Sequence, residues 1–349
     1  MPLRAAKRLF SRAGVAQQPA SGAIARSEKD ASGALRLSWV WTTNTHPDCN
    51  LGDALSAVVV AAICQLPIER AAFGAKVERL AAVGTIGHAL HSGKVHLWGT
   101  GFDVQRDQTG ALNGYEVPED TELAIHAVRG RRTAEALRNR GLDVPENYGD
   151  PVWFLPKIFP HAGEKTHDLG VIVHISELER PTAESVVRAT IERYRLPDAF
   201  ASRIRIINTY TPATIEGLQG KVDEITSCRR ILSTSLHGLV IAEAYGIPCA
   251  WFSGHKGKSG LLPIDGENPI DHRMKDFYSG VDRDCVLSYL QPFNRETDWS
   301  ATIRFIDDHW RPVSYTGERL FSAFPLKPQV RLSDEKWSIP PGLLEQIPL

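Results

Sequence analysis

The 349-residue chain has five cysteines, Cys49, Cys64, Cys228, Cys249 and Cys285, and no two of them stand in a Cys-x-x-Cys pair. An odd number at such wide spacing suggests neither a disulfide framework nor a zinc site, and it fits a reducing compartment. An excess of either charge is missing as well, since 40 Lys and Arg face 41 Asp and Glu. A chain so balanced has no electrostatic footprint for a polyanion, and nucleic acid is not expected as a partner. The longest apolar run, around residues 54–66, is broken by Ser56 and Gln65 and falls short of the ~20 residues that a bilayer crossing needs. No repeat of solenoid length is visible.

Charge is present locally. The first 36 residues carry Arg4, Lys7, Arg8, Arg12, Arg26, Lys29 and Arg36 against Glu28 and Asp30, seven minus two, or +5. This stretch lacks the apolar segment of a secretory signal. Residues 1–34 read as a basic, disordered arm; Leu3, Leu9 and Phe10 leave contact with an anionic membrane surface as the alternative. The expected location is the cytoplasm, with any membrane contact peripheral and on the inner face.

From Leu35 onward short β-type runs alternate with helix-length segments, the pattern of parallel sheets flanked by helices. The predicted fold class is α/β, with two Rossmann-like doubly wound domains facing across a cleft. The N-terminal one spans 35–160 and the C-terminal one 165–312, with the polar "KIFPHAGEKTH" as linker and a tail over 313–349 packing back through Phe321, Phe324 and Trp337. Helices are expected over "DALSAVVVAAICQL", capped by Asp53, and over "TAESVVRATIERY". "GHKGKSGLLPIDGENPIDHRMKDFYSG" reads as one long loop.

In open α/β sheets ligands bind beyond the carboxyl ends of the strands. The predicted strand-to-helix turns there hold Asn50, Gly52 and Asp53, then Gly99, Thr100 and Gly101, then Arg129, and in the second half Ser233, Thr234, Ser235 and His237. Arg129, at a strand end, either grips a phosphate or carboxylate or makes a salt bridge. His237 follows three hydroxyl residues and starts a helix, a place that suits a catalytic imidazole as well as a structural one. Asp53 and Asp150 serve either as helix caps or in chemistry, and Glu243 is either buried and paired or in contact with a ligand hydroxyl. "GHKGKSG" has Phe252 where a Walker glycine belongs, which removes the phosphate-loop reading but leaves Lys256 and Lys258 as cations on a basic loop.

The ordered series "NLGDAL", "VHLWGTGF", "AVRGRRTAEAL", "YGDPVWFLP", "STSLHGLVIAEAYGIPCAW" and "MKDFYS" resembles the polysaccharide pyruvyl transferases, above all the ketal pyruvyl transferases of bacterial exopolysaccharide synthesis. The resemblance implies a two-domain fold like the GT-B glycosyltransferases. It also implies phosphoenolpyruvate as co-substrate, no further cofactor and no metal, and as acceptor a hexose of a lipid-linked oligosaccharide or polysaccharide that becomes a 4,6-ketal. Carried across, His237 is the general acid, and Arg129 the anion-binding arginine. Beside these two, Thr100, Ser235, Lys256 and Lys258 are expected on the donor side; Asp53 or Asp150 orients or deprotonates the acceptor, Asp53 being placed with the catalytic residues and Asn50, Asp150 and Glu243 on the acceptor side. Some relatives have arginine two residues before the histidine, where this chain has Ser235, so the positive charge must come from elsewhere; Lys256, Lys258 and Arg131 are the candidates. Two other readings compete: a nucleotide-sugar glycosyltransferase with Glu243 on a ribose, and a non-catalytic binding protein of the same fold.

Overall fold

The structure of the protein, a computed structural model, describes residues 33–43, 47–161 and 163–349. All but the last two residues of the basic arm lie outside them. The first half runs β1 (Leu35–Ser38), β2 (Cys49–Asn50), α1 (Leu51–Cys64), β3 (Ile68–Arg70), β4 (Arg79–Ala81), β5 (Gly93–Thr100), β6 (Thr121–Val128), α2 (Arg131–Arg138) and α3 (Leu155–Ile158). The second runs β7 (Leu169–Val173), β8 (Ile204–Asn208), β9 (Tyr210–Thr211), α4 (Ile215–Thr226), β10 (Ile231–Ser233), α5 (Leu236–Ala244), β11 (Cys249–Ser253), β12 (Gly260–Pro263), α6 (His272–Gly280), β13 (Cys285–Leu290), α7 (Trp299–His309) and α8 (Glu318–Ser322).

Two sheets result, ordered β3-β1-β4-β5-β6 and β12-β13-β11-β10-β7-β8. Every pairing in them is parallel except that of β12 with β13. The α/β class with parallel sheets is therefore as the alternating pattern predicts. Every residue of β7 and β11 is buried, as parallel strands covered on both faces must be. Alternate side chains of β7 go to different cores: Ile172 joins one that also holds Leu37, Val58, Leu239 and Trp337, while Val171 and Val173 join one with Phe252 and Trp299. The first of these cores is continuous through both halves of the chain, and α1 runs within it with 13 of its 14 residues buried. A helix apolar on all sides has to be covered on all sides.

The two-residue strands β2 and β9 pair antiparallel, Cys49 with Thr211 and Asn50 with Tyr210, and the Leu51 amide donates to the Thr209 carbonyl at 2.9 Å. This clip pins the start of α1 to the end of the second sheet. It also corrects the expected cap: Asn50 occupies the cap position and Asp53 is the third helical residue, because the helix starts as soon as β2 ends.

Two further expectations are corrected. "TAESVVRATIERY" forms turns, a bridge between Leu178 and Val187, and one short 3-10 turn at Glu192–Tyr194. Its carbonyls at Thr182, Ala183 and Ser185 accept from the Asn208 side-chain amide, which competes with helical pairing in a segment rich in β-branched residues. The supposed loop after Ser253 contains β12 and α6, and seven of the nine residues of α6 are buried. Asp271 caps α6, and Met274, Phe277 and Tyr278 follow at helical spacing. The C-terminal tail lies on the first half, with the Trp98 indole donating to Leu320 O at 2.8 Å and Trp337 N donating to Lys157 O at 2.8 Å.

Candidate functional site

The N-termini of α1 and α5 meet at a cavity of about 220 Å³. Asn50, Asp53 and Thr85 reach it from the first half, and Thr209, Ser235 and His237 from the second. The β2–β9 clip holds the first helix start, and the end of β10 delivers the second.

His237 is the second residue of α5, with 12% of its side chain exposed, and its Nε2 stands 3.6 Å from Asp150 Oδ2. Asp150 is fully buried; its Oδ1 accepts from the Val152 amide at 3.0 Å, while neither its Oδ2 nor His237 Nε2 has a hydrogen-bond partner. The separation is that of an ion pair rather than a hydrogen bond, so an imidazolium there would face a carboxylate already in place. The other edge of the ring lies on α1: a Cβ added at Gly52 would stand 1.8 Å from His237 Nδ1. Only glycine lets the two helices approach so closely.

Asp53 accepts from Asn50 Nδ2 at 2.8 Å. Burial pushes its carboxyl above the ordinary range, opposed by the nearby His237, Asn50 and Arg273. Ser235 caps α5 through its backbone, with Ser233 Oγ donating to its carbonyl at 2.8 Å.

Other expected residues are not at the cavity. Arg129 is wholly buried, its Nε and Nη2 lying 3.0 and 2.9 Å from Asp276 Oδ2, and it touches the cavity wall only where Nη1 donates to Thr85 Oγ1 at 2.6 Å. Gly101 makes room for this guanidinium, since a Cβ there would meet Arg129 Cζ at 2.3 Å. Thr100 is buried and donates to Ala82 O at 2.9 Å. Glu243 is buried, with the Tyr278 hydroxyl donating to Oε1 at 2.9 Å, and burial lifts its carboxyl to about 7. Lys256 and Lys258 are exposed beyond β11 and do not line the cavity. Arg131 pairs with Asp282 on the surface.

The residue that sequence reasoning missed is Arg273, in the first turn of α6, whose side chain lines the cavity. Asp271 holds it at 2.7 Å through Nη2 and 3.0 Å through Nε, and His174 Nε2 lies 3.3 Å from its Nη1. Burial acts to raise the Asp271 carboxyl, but the hydrogen bonds and charge of Arg273 outweigh it and hold the group at about 2. The signal was the Asp271 cap followed by spaced apolar residues, obscured by the glycines and prolines before it.

Comparison with known proteins bears on this arrangement. The family described as polysaccharide pyruvyl transferase matches residues 88–256. That region is similar to the polysaccharide pyruvyl transferases. It contains Arg129, Asp150, Ser235 and His237, while Asn50, Asp53 and Arg273 lie outside it. An uncharacterized protein, L143, of Acanthamoeba polyphaga mimivirus is 26% identical over 171 residues, which is 47% of this chain and 51% of that protein. The chain thus spans about half the length of this curated relative. No solved structure matches. Among the described residues, no helix is long and apolar enough to cross a membrane.

Proposed function

We propose that this protein is a polysaccharide pyruvyl transferase, which moves the pyruvyl unit of phosphoenolpyruvate onto a hexose of a polysaccharide or lipid-linked repeat unit. Two sugar hydroxyls become one ketal, 4,6-linked, and phosphate leaves. The observation that carries the reading is the His237–Asp150 pair, set in a small cavity where two helix N-termini converge.

The chemistry asks for one proton donor, one proton acceptor and a setting that tolerates an anion. His237, facing Asp150 across 3.6 Å, delivers a proton to C3 of the enol, which becomes a methyl group and leaves C2 electrophilic. The first sugar hydroxyl attacks C2 and gives up its proton; phosphate departs with its bonding pair, and the second hydroxyl closes the ring. Of the two hydroxyl protons, one restores His237 and one leaves on phosphate. Asp53 is the base that takes the hydroxyl protons and passes them on: burial raises its carboxyl above the ordinary range, which suits it to accept a proton. The first turns of α1 and α5 direct their positive ends toward the donor's negative groups.

The test is phosphate release from phosphoenolpyruvate with and without candidate glycans, followed by mass spectrometry of the acceptor. Release that depends on glycan, with pyruvate added to the sugar, is the expected result. Thermal stabilisation by a nucleoside diphosphate, with none by phosphoenolpyruvate, would overturn it.

A further inference from the structure

We propose that Arg273 is the donor-gripping cation of this site, supplying at the start of α6 the charge that Ser235 does not supply at the start of α5. The inference rests on the pyruvyl-transfer reading above. Among the described residues that line the cavity, Arg273 alone carries a permanent positive charge. Asp53 lines the same space, and Asp150 stands behind His237. A donor with a carboxylate and a phosphate would enter between these carboxylates, so a cation on the wall is needed to make its binding favourable.

The geometry of Arg273 suits this work. A guanidinium has five N–H donors in a planar fork. Asp271 takes Nε and one hydrogen of Nη2, and His174 faces Nη1, so at least one hydrogen on each Nη remains for another partner. Those two nitrogens form the edge that matches a carboxylate or phosphate in bidentate fashion. Because Asp271 is also the cap of α6, accepting from the Arg273 amide at 2.9 Å, the same carboxylate fixes both the backbone and the side chain of Arg273. The competing cations lack such access: Arg129 is spent on Asp276 and Thr85, and Lys256 and Lys258 are away from the cavity. Arg273 is a binding residue here; Asp271 and His174 are positioning residues.

The experiment compares full-length wild type, Arg273→Met and Arg273→Lys. It records kcat and KM for phosphoenolpyruvate, together with the thermal midpoint with and without that compound. The expected result for Arg273→Met is a KM raised on the order of 30-fold or more, as for loss of a bidentate charged contact, an unliganded midpoint equal to wild type, and no stabilisation by phosphoenolpyruvate. Arg273→Lys keeps the charge and loses the fork, so its KM should lie between. Added guanidinium ion should restore part of the lost rate to Arg273→Met. If wild type turns over phosphoenolpyruvate and both variants keep its KM, the inference fails while the function stands. If Arg273→Met does not fold, Arg273→Lys decides, and an unchanged KM there overturns the inference. If wild type neither binds nor consumes phosphoenolpyruvate, the functional reading has failed first.

Discussion

Arg129 and Arg273 are both paired with carboxylates at α6 and have opposite circumstances. Arg129 follows directly on β6 and is joined to Asp276 on α6, whose Oδ1 and Oδ2 also accept from the Thr133 amide and hydroxyl at 2.9 and 2.8 Å. It is a strut between the halves, closed to solvent. Arg273, three residues before Asp276 in sequence, keeps its counter-ion beside its own backbone and leaves an edge free toward the cavity. A position at a strand end selects an arginine that can reach a ligand. The location of its carboxylate partner decides whether it does.

The sharpest way to separate the cavity from the strut is His237→Gln, which removes the proposed proton donor and leaves the Arg129–Asp276 link intact. Turnover should fall by about 10²–10⁴, the range for loss of a general acid, with the urea midpoint unchanged. Equal activity in the variant would take His237 out of the mechanism. Next in size, Arg129→Met leaves Asp276 buried without its charge partner and should cost about 3–5 kcal/mol in urea unfolding. A variant of wild-type stability with a raised KM would instead make Arg129 a donor ligand, as its place in the sequence suggests, and erase the contrast between the two arginines.

A third comparison sets the cavity carboxylates against Glu243, which the sequence left open between burial and ligand contact. Its carboxyl, at about 7 in the folded protein through burial, has an ordinary value near 4.5 in the unfolded chain. The folded state therefore binds the proton more tightly. Its contribution to stability is fully present below about pH 4.5 and is lost as pH rises through 7. Glu243→Gln should flatten stability against pH in that window by roughly 2–3 kcal/mol. Unfolding curves from pH 5 to 8 read the difference, and a slope unchanged from wild type would put the ionised carboxylate in a solvated or ligand-facing position.

The legible part of this protein was its local patterning. Parallel strands announced themselves as "VIV" and "CAWF" runs, α5 by its Gly-Ile-Pro stop, and His237 by its turn. What stayed hidden depended on distant parts of the chain. Asn208 withdraws "TAESVVRATIERY" from helix through hydrogen bonds that no local window contains. The β2–β9 clip, which sets the start of α1 and hence the places of Asn50 and Asp53, joins residues about 160 apart in sequence. Arg273 was masked by the turn residues around it. Asp150 was visible as a cap or a site residue; one of its oxygens caps Val152 N, and the other faces His237.

The smallest expected effect tests whether the cavity depends on a close helix approach rather than on its charged groups alone. In the interior of a helix Gly→Ala ordinarily favours folding, by up to about 1 kcal/mol. At Gly52 the new Cβ would stand 1.8 Å from His237 Nδ1 and 2.3 Å from its Cγ, so the imidazole must move. Relieving that contact moves the ring away from α1, and the move changes its 3.6 Å separation from Asp150. Gly52→Ala should therefore lower kcat about tenfold, a displacement effect smaller than loss of the group, while the thermal midpoint shifts little in either direction. The discriminating measurement is kcat read beside the unfolding midpoint, because a lower rate at wild-type stability places the effect on the position of the ring. A Gly52→Ala enzyme with the wild-type rate would mean that the imidazole finds its catalytic position independently of α1.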